Sequence, residues 1–447
     1  EGMTRIANET LDEERRALIR TLAHHMVDNT RWIESIGGGA GGRESVSTTM
    51  VDLGARITDQ GTLYPEFPEL PGSECAYVFS PKAEGPYRHG ASFFKFLSDA
   101  VRKRRINILW DSPGKHLVTD GGEVRGVLAQ RGGKEIAVKA TRAVILTCGG
   151  FEFNEMMKQN YLRIHPSYFY GTPACTGDGI NMVLEVGAAL WHMNCSSWRV
   201  VMKVPQFPIS FSITPRLAVT GGLFVDRRGK RFANERFKQH AFGYELANYD
   251  GYLMGYPRVP CYWIFDEKRR LGGPLASGQG PSNPPGGVPG PNFYVWSENN
   301  EVELEKGWCL SAPTLRGLAA KLAAEPESQG LLRPSALEES VATYHRWCET
   351  GEDQDFHRQP PTLVPLDTPP YYAVKLWPGG PNTQGGPKRN GLSQVLRPDN
   401  TTISRLYAAG ELGSVWGMFY QGGGNLAECI VFGRIAGANA AQEKPWG

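Results

Sequence analysis

The sequence predicts an α/β protein carrying an inserted α+β domain, and three observations predict it. A chain of 447 residues, 40% of them hydrophobic, is long enough to bury more than one core. Its C-terminal stretch, residues 406–441, reads LYAAGELGSVWGMFYQGGGNLAECIVFGRIAGANAA: a short apolar strand, a glutamate at the strand's end, a glycine-rich turn and an amphipathic helix. Residues 271–292, LGGPLASGQGPSNPPGGVPGPN, are too dense in Pro and Gly for regular structure and predict a long loop inside the insertion. We therefore expect a main domain begun by residues 1–194, a capping domain over 195–376, and a return to the main domain over 377–447.

Taken in order, residues 1–36 read as one long amphipathic helix, with Leu11, Leu18, Ile19, Leu22, Met26, Trp32 and Ile33 at roughly helical spacing. The following GGGAGG of residues 37–42 has no apolar strand before it and reads as a turn rather than a phosphate loop. Residues 54–93, rich in Pro, Gly and aromatics (Tyr64, Phe67, Tyr77, Tyr87), suit a long surface loop over a pocket. A helix is expected at 90–105 and strands at 106–110, 122–130 and 143–147, with hairpin turns at 120–123 and 132–134. Asp178 stands where it can cap a helix. In the insertion, 312–324 and 335–350 read as helices, the second with Leu337, Val341, Tyr344 and Trp347 on one face.

Composition excludes several function classes. The net charge is +2 and the basic residues are interspersed with acidic ones, which leaves no stripe for nucleic acid. No apolar run is long enough to span a bilayer. The eight cysteines are scattered without a C-x-x-C pair, so neither a disulfide framework nor a zinc site is expected, and reduced thiols point to the cytoplasm.

The glycines at 422, 423 and 424 let a backbone approach a ligand, and the free N–H groups of the next helix favour a carbonyl oxygen or partial negative charge, although such a run also serves as a plain turn. The 406–441 segment resembles the C-terminal signature of the FAD-dependent fumarate reductase and 3-ketosteroid dehydrogenase family. KATRAVILTCGGFEFNEM (139–156), GTPACTGDGINMVLEVGAAL (171–190), GGLFVDRRGKRFANE (221–235) and TQGG (383–386) resemble further family blocks in the right order. The resemblance implies an FAD-binding domain with a cap, FAD as cofactor, and a cofactor site of Gly114, Gly149, Gly150, Asp178, Asn382, Glu411, Asn425, Leu426 and Ala427. It also implies a small-molecule substrate and an electron-transfer partner. The family usually opens with a βαβ unit carrying G-x-G-x-x-G, which this sequence lacks; such a unit would be cut away, lost or supplied by another chain.

Set against the family's chemistry, the paired cations that fumarate reductases use for a dicarboxylate are replaced: the matching positions hold Gln239, Gln421 and Pro381. The likeness to ketosteroid dehydrogenases is closer, because Tyr420 and the Gly424 amide stand where a tyrosine and a glycine amide polarise the substrate carbonyl. That family's general-base tyrosine falls on Gln239, so His240 or Tyr244 is the substitute candidate, while a lone histidine is also an ordinary surface or packing residue. Tyr64 matches a family active-site tyrosine only loosely, Tyr372 of PPYYA is read as framework, and Trp191, His192 and Trp198 either line the substrate side or pack. The expected activity is hydrogen transfer across a C–C bond next to a carbonyl on an apolar, ketosteroid-like or polycyclic ketone. A reductase of unsaturated carboxylic acids using Arg199 or Arg216, and a catalytically silent flavin-family subunit, are the alternatives.

Overall fold

A computed structural model describes residues 13–37, 49–52, 77–80, 90–213, 215–236, 242–276, 294–418, 420 and 424–446. The expected helix over 1–36 is two helices in its described part, Glu13–Met26 and Asn29–Ser35. The break has a cause: the buried Asn29 side chain donates to the Ala427 carbonyl, and Arg434 donates to the carbonyls of His25 and Asp28, so the turn between the helices is tied to the C-terminal helix Gly424–Gln442. Leu18 and Leu22 pack there with Val431 and Phe432.

The expected loop over 54–93 is partly strand, since Tyr77–Ser80 pairs antiparallel with Thr49–Asp52; Tyr64 lies outside the described residues. The helix that follows runs Gly90–Lys103. Residues 106–110 are not a strand. Arg105 (φ 53°) and Asp111 (φ 52°) turn the backbone at both ends of that apolar run, leaving Ile106, Ile108, Leu109 and Trp110 exposed. Pairing passes instead to an antiparallel meander of Gly114–Asp120, Glu123–Arg131 and Lys134–Lys139. Its two turns fall where expected because Gly121 and Gly122 (φ 58° and 81°), then Gly132 and Gly133 (φ 55° and 77°), supply the two consecutive left-handed residues of a tight hairpin.

Val144–Leu146 runs parallel to Thr402–Ala408, which pairs on its other side with Gln394–Leu396. These two parallel strands end at Gly149–Gly150 and at Gly410–Glu411, so both chain segments deliver their turns to the same end of one small sheet. The larger sheet has seven strands, ordered Phe211–Ser212, Arg199–Met202, Tyr371–Gly380, Cys261–Asp266 and Leu223–Val225, with Leu310–Ala312 and Tyr168–Phe169 also pairing on Tyr371–Gly380. That central strand runs through residue 376, the expected end of the cap, and carries the chain directly to the Asn382–Gly386 turn. Cys261–Asp266, CYWIFD, is buried at every position, as a strand covered on both faces requires. Helices Leu315–Ala324 and Pro334–Thr350 cover one face: Thr314 caps the first through Gly317 N–H, and Leu337, Val341 and Tyr344 form the buried stripe of the second.

Candidate cofactor and substrate site

The two parallel strand ends bring Gly149, Gly150 and Glu411 together. Gly149 has φ +75°, and a Cβ there would lie 2.6 Å from Cys175 Sγ; a Cβ on Gly150 would lie 2.0 Å from Thr383 Oγ1 and 2.5 Å from Glu411 Oε1. Only glycine fits these two positions. Thr383 holds the turn in place, its Oγ1 accepting from Phe151 N–H at 3.1 Å and donating to Glu152 Oε2 at 3.2 Å. Burial, then the Glu152 carboxyl beside it, pushes the Glu411 carboxyl well above the usual carboxylate range.

Next along this turn, Asn382 and Asn425 meet. Asn425 Nδ2 donates to Asn382 Oδ1 at 2.9 Å, Ser197 Oγ donates to the same oxygen at 3.1 Å, and Gln384 Nε2 donates to Ser197 Oγ at 2.8 Å. This chain of amides and a hydroxyl fixes the start of the C-terminal helix against Ser197, just before the strand Arg199–Met202. Asn425 is thus placed by its side chain. The Ala427 carbonyl is taken by Asn29, and Leu426 is exposed.

Tyr420 and Gly424 share one surface. The Tyr420 ring stands edge-on to Trp416 at 6.3 Å, and a Cβ on Gly424 would strike the same indole at 2.7 Å. Tyr244 reaches this network through Ser196, whose Oγ donates to the Asn382 carbonyl at 2.8 Å. Its hydroxyl is 3.4 Å from Ser196 N and 3.5 Å from Ser196 O, its ring meets Trp198 edge-on, and burial keeps the phenol neutral far above its ordinary range. A phenol so held can donate a proton or a hydrogen bond but is no ready base. His240 and Gln239 lie outside the described residues.

Two expected site residues lie at the helix that follows Gly177, whose N–H donates to the Gly150 carbonyl at 3.0 Å. Gly114 opens its strand against Met182, and Lys115 Nζ next to it lies 3.9 Å from Asp178 Oδ1, so Gly114 and Asp178 are neighbours. Asp178 is not the helix cap: Gly177 (φ +82°) takes that position, and Asp178 is the first residue of Asp178–Glu185, where its charge still favours the helix N-terminus and accepts from Thr176 Oγ1 at 2.8 Å. Trp198 is fully buried and Tyr372 donates to Glu267 at 2.5 Å, both framework roles. His192 stacks on Trp191 at 4.5 Å and makes a 2.6 Å hydrogen bond to the Ser414 carbonyl.

Sequence reasoning missed Glu152, Cys175, Ser197, Gln384 and Trp416. Glu152, Cys175, Gln384 and Trp416 all lie inside the family blocks, so position was a signal for those four; Ser197 lies outside every block.

The sequence matches the FAD binding domain family from residue 4 to residue 426. The chain belongs to that family. Among its relatives, the 3-oxosteroid 1-dehydrogenase of Mycobacterium tuberculosis (strain H37Rv) is 31% identical over 337 residues, covering 68% of this chain and 54% of its own length. The fumarate reductase (cytochrome) of Shewanella frigidimarina is 27% identical over 435 residues, covering 95% of this chain and 63% of its own. The chain therefore spans little more than half to under two thirds of these relatives. A crystal structure of 3-ketosteroid delta1-dehydrogenase from Sterolibacterium denitrificans, in complex with 1,4-androstadiene-3,17-dione, shares the fold at a TM-score of 0.66, with 24% identity, over 88% of this chain and 72% of that one. The open conformation of a flavocytochrome c3 fumarate reductase shares it at 0.62, with 22% identity, over 96% and 65%.

FAD is the cofactor of this family, and the residues present fit it. Glu411 Oε1 and Gln384 Oε1 are buried acceptors without a hydrogen-bond partner, and leaving such a group unmade costs about 1–3 kcal/mol. Each lies beside a turn whose backbone is kept open by glycine, and a hydroxyl-bearing and N–H-bearing cofactor supplies the missing donors. No helix among the described residues is long and apolar enough to cross a membrane.

Proposed function

We propose that this chain forms the main body of an FAD-dependent oxidoreductase acting on a CH–CH bond adjacent to a carbonyl, with an apolar, ketosteroid-like or polycyclic ketone as substrate. The observation that supports this reading is that Tyr420 and Gly424 both contact the Trp416 indole, which brings a phenol and a helix-start residue to one apolar ring. In the proposed mechanism Tyr420 and the Gly424 amide hold the carbonyl oxygen and draw charge from the C–C bond next to it, which acidifies the neighbouring C–H. Bound FAD supplies the two-electron acceptor. Glu411, Gly149, Gly150, Asn382 and Asn425 hold the cofactor, Gly114 and Asp178 meet its adenosine side, and Leu426 and Ala427 follow the helix start. The proton released from that C–H is accepted by His240 or by water; neutral Tyr244 serves only as donor in the reverse, reductive direction. Absence of the paired cations at Gln239, Gln421 and Pro381 supports a neutral ketone over a dicarboxylate.

A reductase of unsaturated carboxylic acids is the second reading, and one observation favours it. The Arg199 guanidinium hydrogen-bonds the Tyr170 hydroxyl, and no carboxylate pairs with it among the described residues, so it can meet an anionic substrate. Arg216, by contrast, donates to the Gly272 carbonyl and is set aside. An electron-transfer partner, a second chain carrying a G-x-G-x-x-G unit, and a cytoplasmic setting belong to the same proposal; the described cysteines, all free thiols, support the last.

The test is the visible spectrum of the purified chain with identification of any released chromophore, followed by turnover of ketosteroids with an artificial electron acceptor. Tyr420→Phe is expected to lower kcat by about 10²-fold and leave flavin content unchanged. Unchanged kcat removes Tyr420 from the mechanism, saturation by dicarboxylates in place of ketones moves the assignment to the second reading, and a protein that stays colourless after adding FAD makes the chain a silent subunit.

A further inference from the structure

Glu152 and Glu411 come from different segments and meet over Gly150. One carboxylate oxygen of each, with Cys175 Sγ, form a cluster whose atoms all lie within 4.8 Å of one another. A Cβ on Gly150 would lie 2.5 Å from Glu411 Oε1 and 2.8 Å from Glu152 Oε2, so the acids converge on the bare face of that glycine. Glu152 is 1% exposed, and Glu411 Oε1 is sealed and without a partner. The Arg389 guanidinium on the adjoining turn is taken by Glu428 and by the carbonyls of Gly410 and Leu412, and no Lys, Arg or His pairs with Glu152 or Glu411 among the described residues. Two carboxyl groups in contact, out of water and without a cation, cannot both be ionised.

We propose that Glu152 and Glu411 share one proton and together bind a hydroxyl of the cofactor's polyol chain, which makes Glu152 a cofactor-binding residue in its own right. The proposal rests on the flavin reading above. A carboxylic acid beside a carboxylate offers one donor and several acceptors, which matches a hydroxyl that must both accept and donate; two carboxylates would offer acceptors alone. Burial raises Glu152 above the usual carboxylate range, and burial together with Glu152 raises Glu411 further. The other groups facing the pair are Cys175, pushed up by burial and by the two acids; Cys429, pushed up to about 12 by burial and by Glu428; Glu428 itself, raised by burial against the opposing Arg389; and Arg389.

The sign follows from proton counts. Above the ordinary carboxylate range the unfolded chain has released both protons while the folded chain keeps one, so stability falls as pH rises until the raised folded value is passed. A ligand that binds the protonated pair alone loses affinity tenfold per pH unit above that value.

The experiment compares the chain with Glu152→Gln, whose amide keeps the shape and a donor without the charge. Thermal midpoints and FAD affinity, by quenching of flavin fluorescence, are followed from about pH 5 to about pH 9. The FAD affinity of the wild type is expected to fall with rising pH, and its thermal midpoint to fall relative to that of Glu152→Gln, in which burial alone still raises Glu411; Glu152→Ala binds FAD at least tenfold more weakly at every pH. Parallel midpoint curves for wild type and Glu152→Gln overturn the shared proton. Equal FAD affinities for wild type and Glu152→Ala overturn the binding role. An affinity that rises with pH, with a divalent cation found in the purified protein by elemental analysis, makes the cluster a metal site instead. No FAD uptake by the wild type at any pH overturns the flavin reading and the binding half together, while the midpoint curves still decide the proton.

Discussion

Two buried acidic clusters in this chain are built in opposite ways. Under the large sheet, Glu235 accepts from Arg231 Nε at 2.9 Å and from Arg358 Nη1 at 3.1 Å, and Asp353 accepts from Arg231 Nη2 at 2.7 Å; none of these side chains is more than 4% exposed. Two acids meet two guanidiniums. Burial would raise both acids, but Arg231 and Arg358 hold Glu235 below the usual range, and Arg231 does the same for Asp353. At Gly150 the two acids meet no cation and move upward instead. The difference teaches how to tell framework from site: the first cluster is complete in itself, whereas the second holds two acids with no cation between them.

The largest expected effect breaks the complete cluster. Arg358→Met leaves Glu235 buried and half-paired and removes donors from the Gly222 carbonyl and Thr362, which should cost about 3–5 kcal/mol in denaturant unfolding. A loss under about 1 kcal/mol would erase the contrast between the clusters. Glu411→Ala is the matching change at the Gly150 cluster. Because it deletes an uncompensated buried acid, folding stability near neutral pH should hold or rise, and flavin retention should fall; full flavin occupancy in that variant removes Glu411 from the cofactor site.

His192 represents a third solution, a buried base that stays neutral. Burial, with Arg15 beside it, lowers it from 6.5 to about 3. The unfolded chain takes up this proton below pH 6.5 and the folded chain does not, so stability is lost as pH falls through that window, by about 2 kcal/mol at pH 5. His192→Asn should unfold with a shallower acid limb, and an identical limb would show that another group governs it.

Much of this contrast was legible in the sequence, and the rest was not for a physical reason. The block GGLFVDRRGKRFANE carried Arg231 and Glu235 four residues apart, and the hairpin glycines fixed two turns to the residue. Such local signals survive folding because the backbone itself requires them. The apolar run at 106–110 misled, since its pattern fits a strand while Arg105 and Asp111 bend the chain away at both ends. The pairings of Glu152 with Glu411 and of Gln384 with Ser197 join positions far apart in the chain, and no periodicity announces a contact of that kind. The family blocks located the turns correctly without naming which side chains fill them.

The smallest expected effect isolates what burial contributes. Arg316 Nε and Nη2 make a two-pronged pair with Glu338 at 3.1 and 2.9 Å, close in geometry to the Arg231–Glu235 pair, but the Arg316 side chain is 73% exposed. Water solvates both partners when the pair opens, so Arg316→Ala should change denaturant unfolding only slightly, and high salt should remove most of that change. Against about 3–5 kcal/mol for Arg358→Met, the ratio measures how far exclusion of water, rather than contact distance, sets the strength of these pairs. Comparable losses for the two variants would mean that the cluster under the sheet is better hydrated than its packing implies, and that the acids at Gly150 are equally within reach of water.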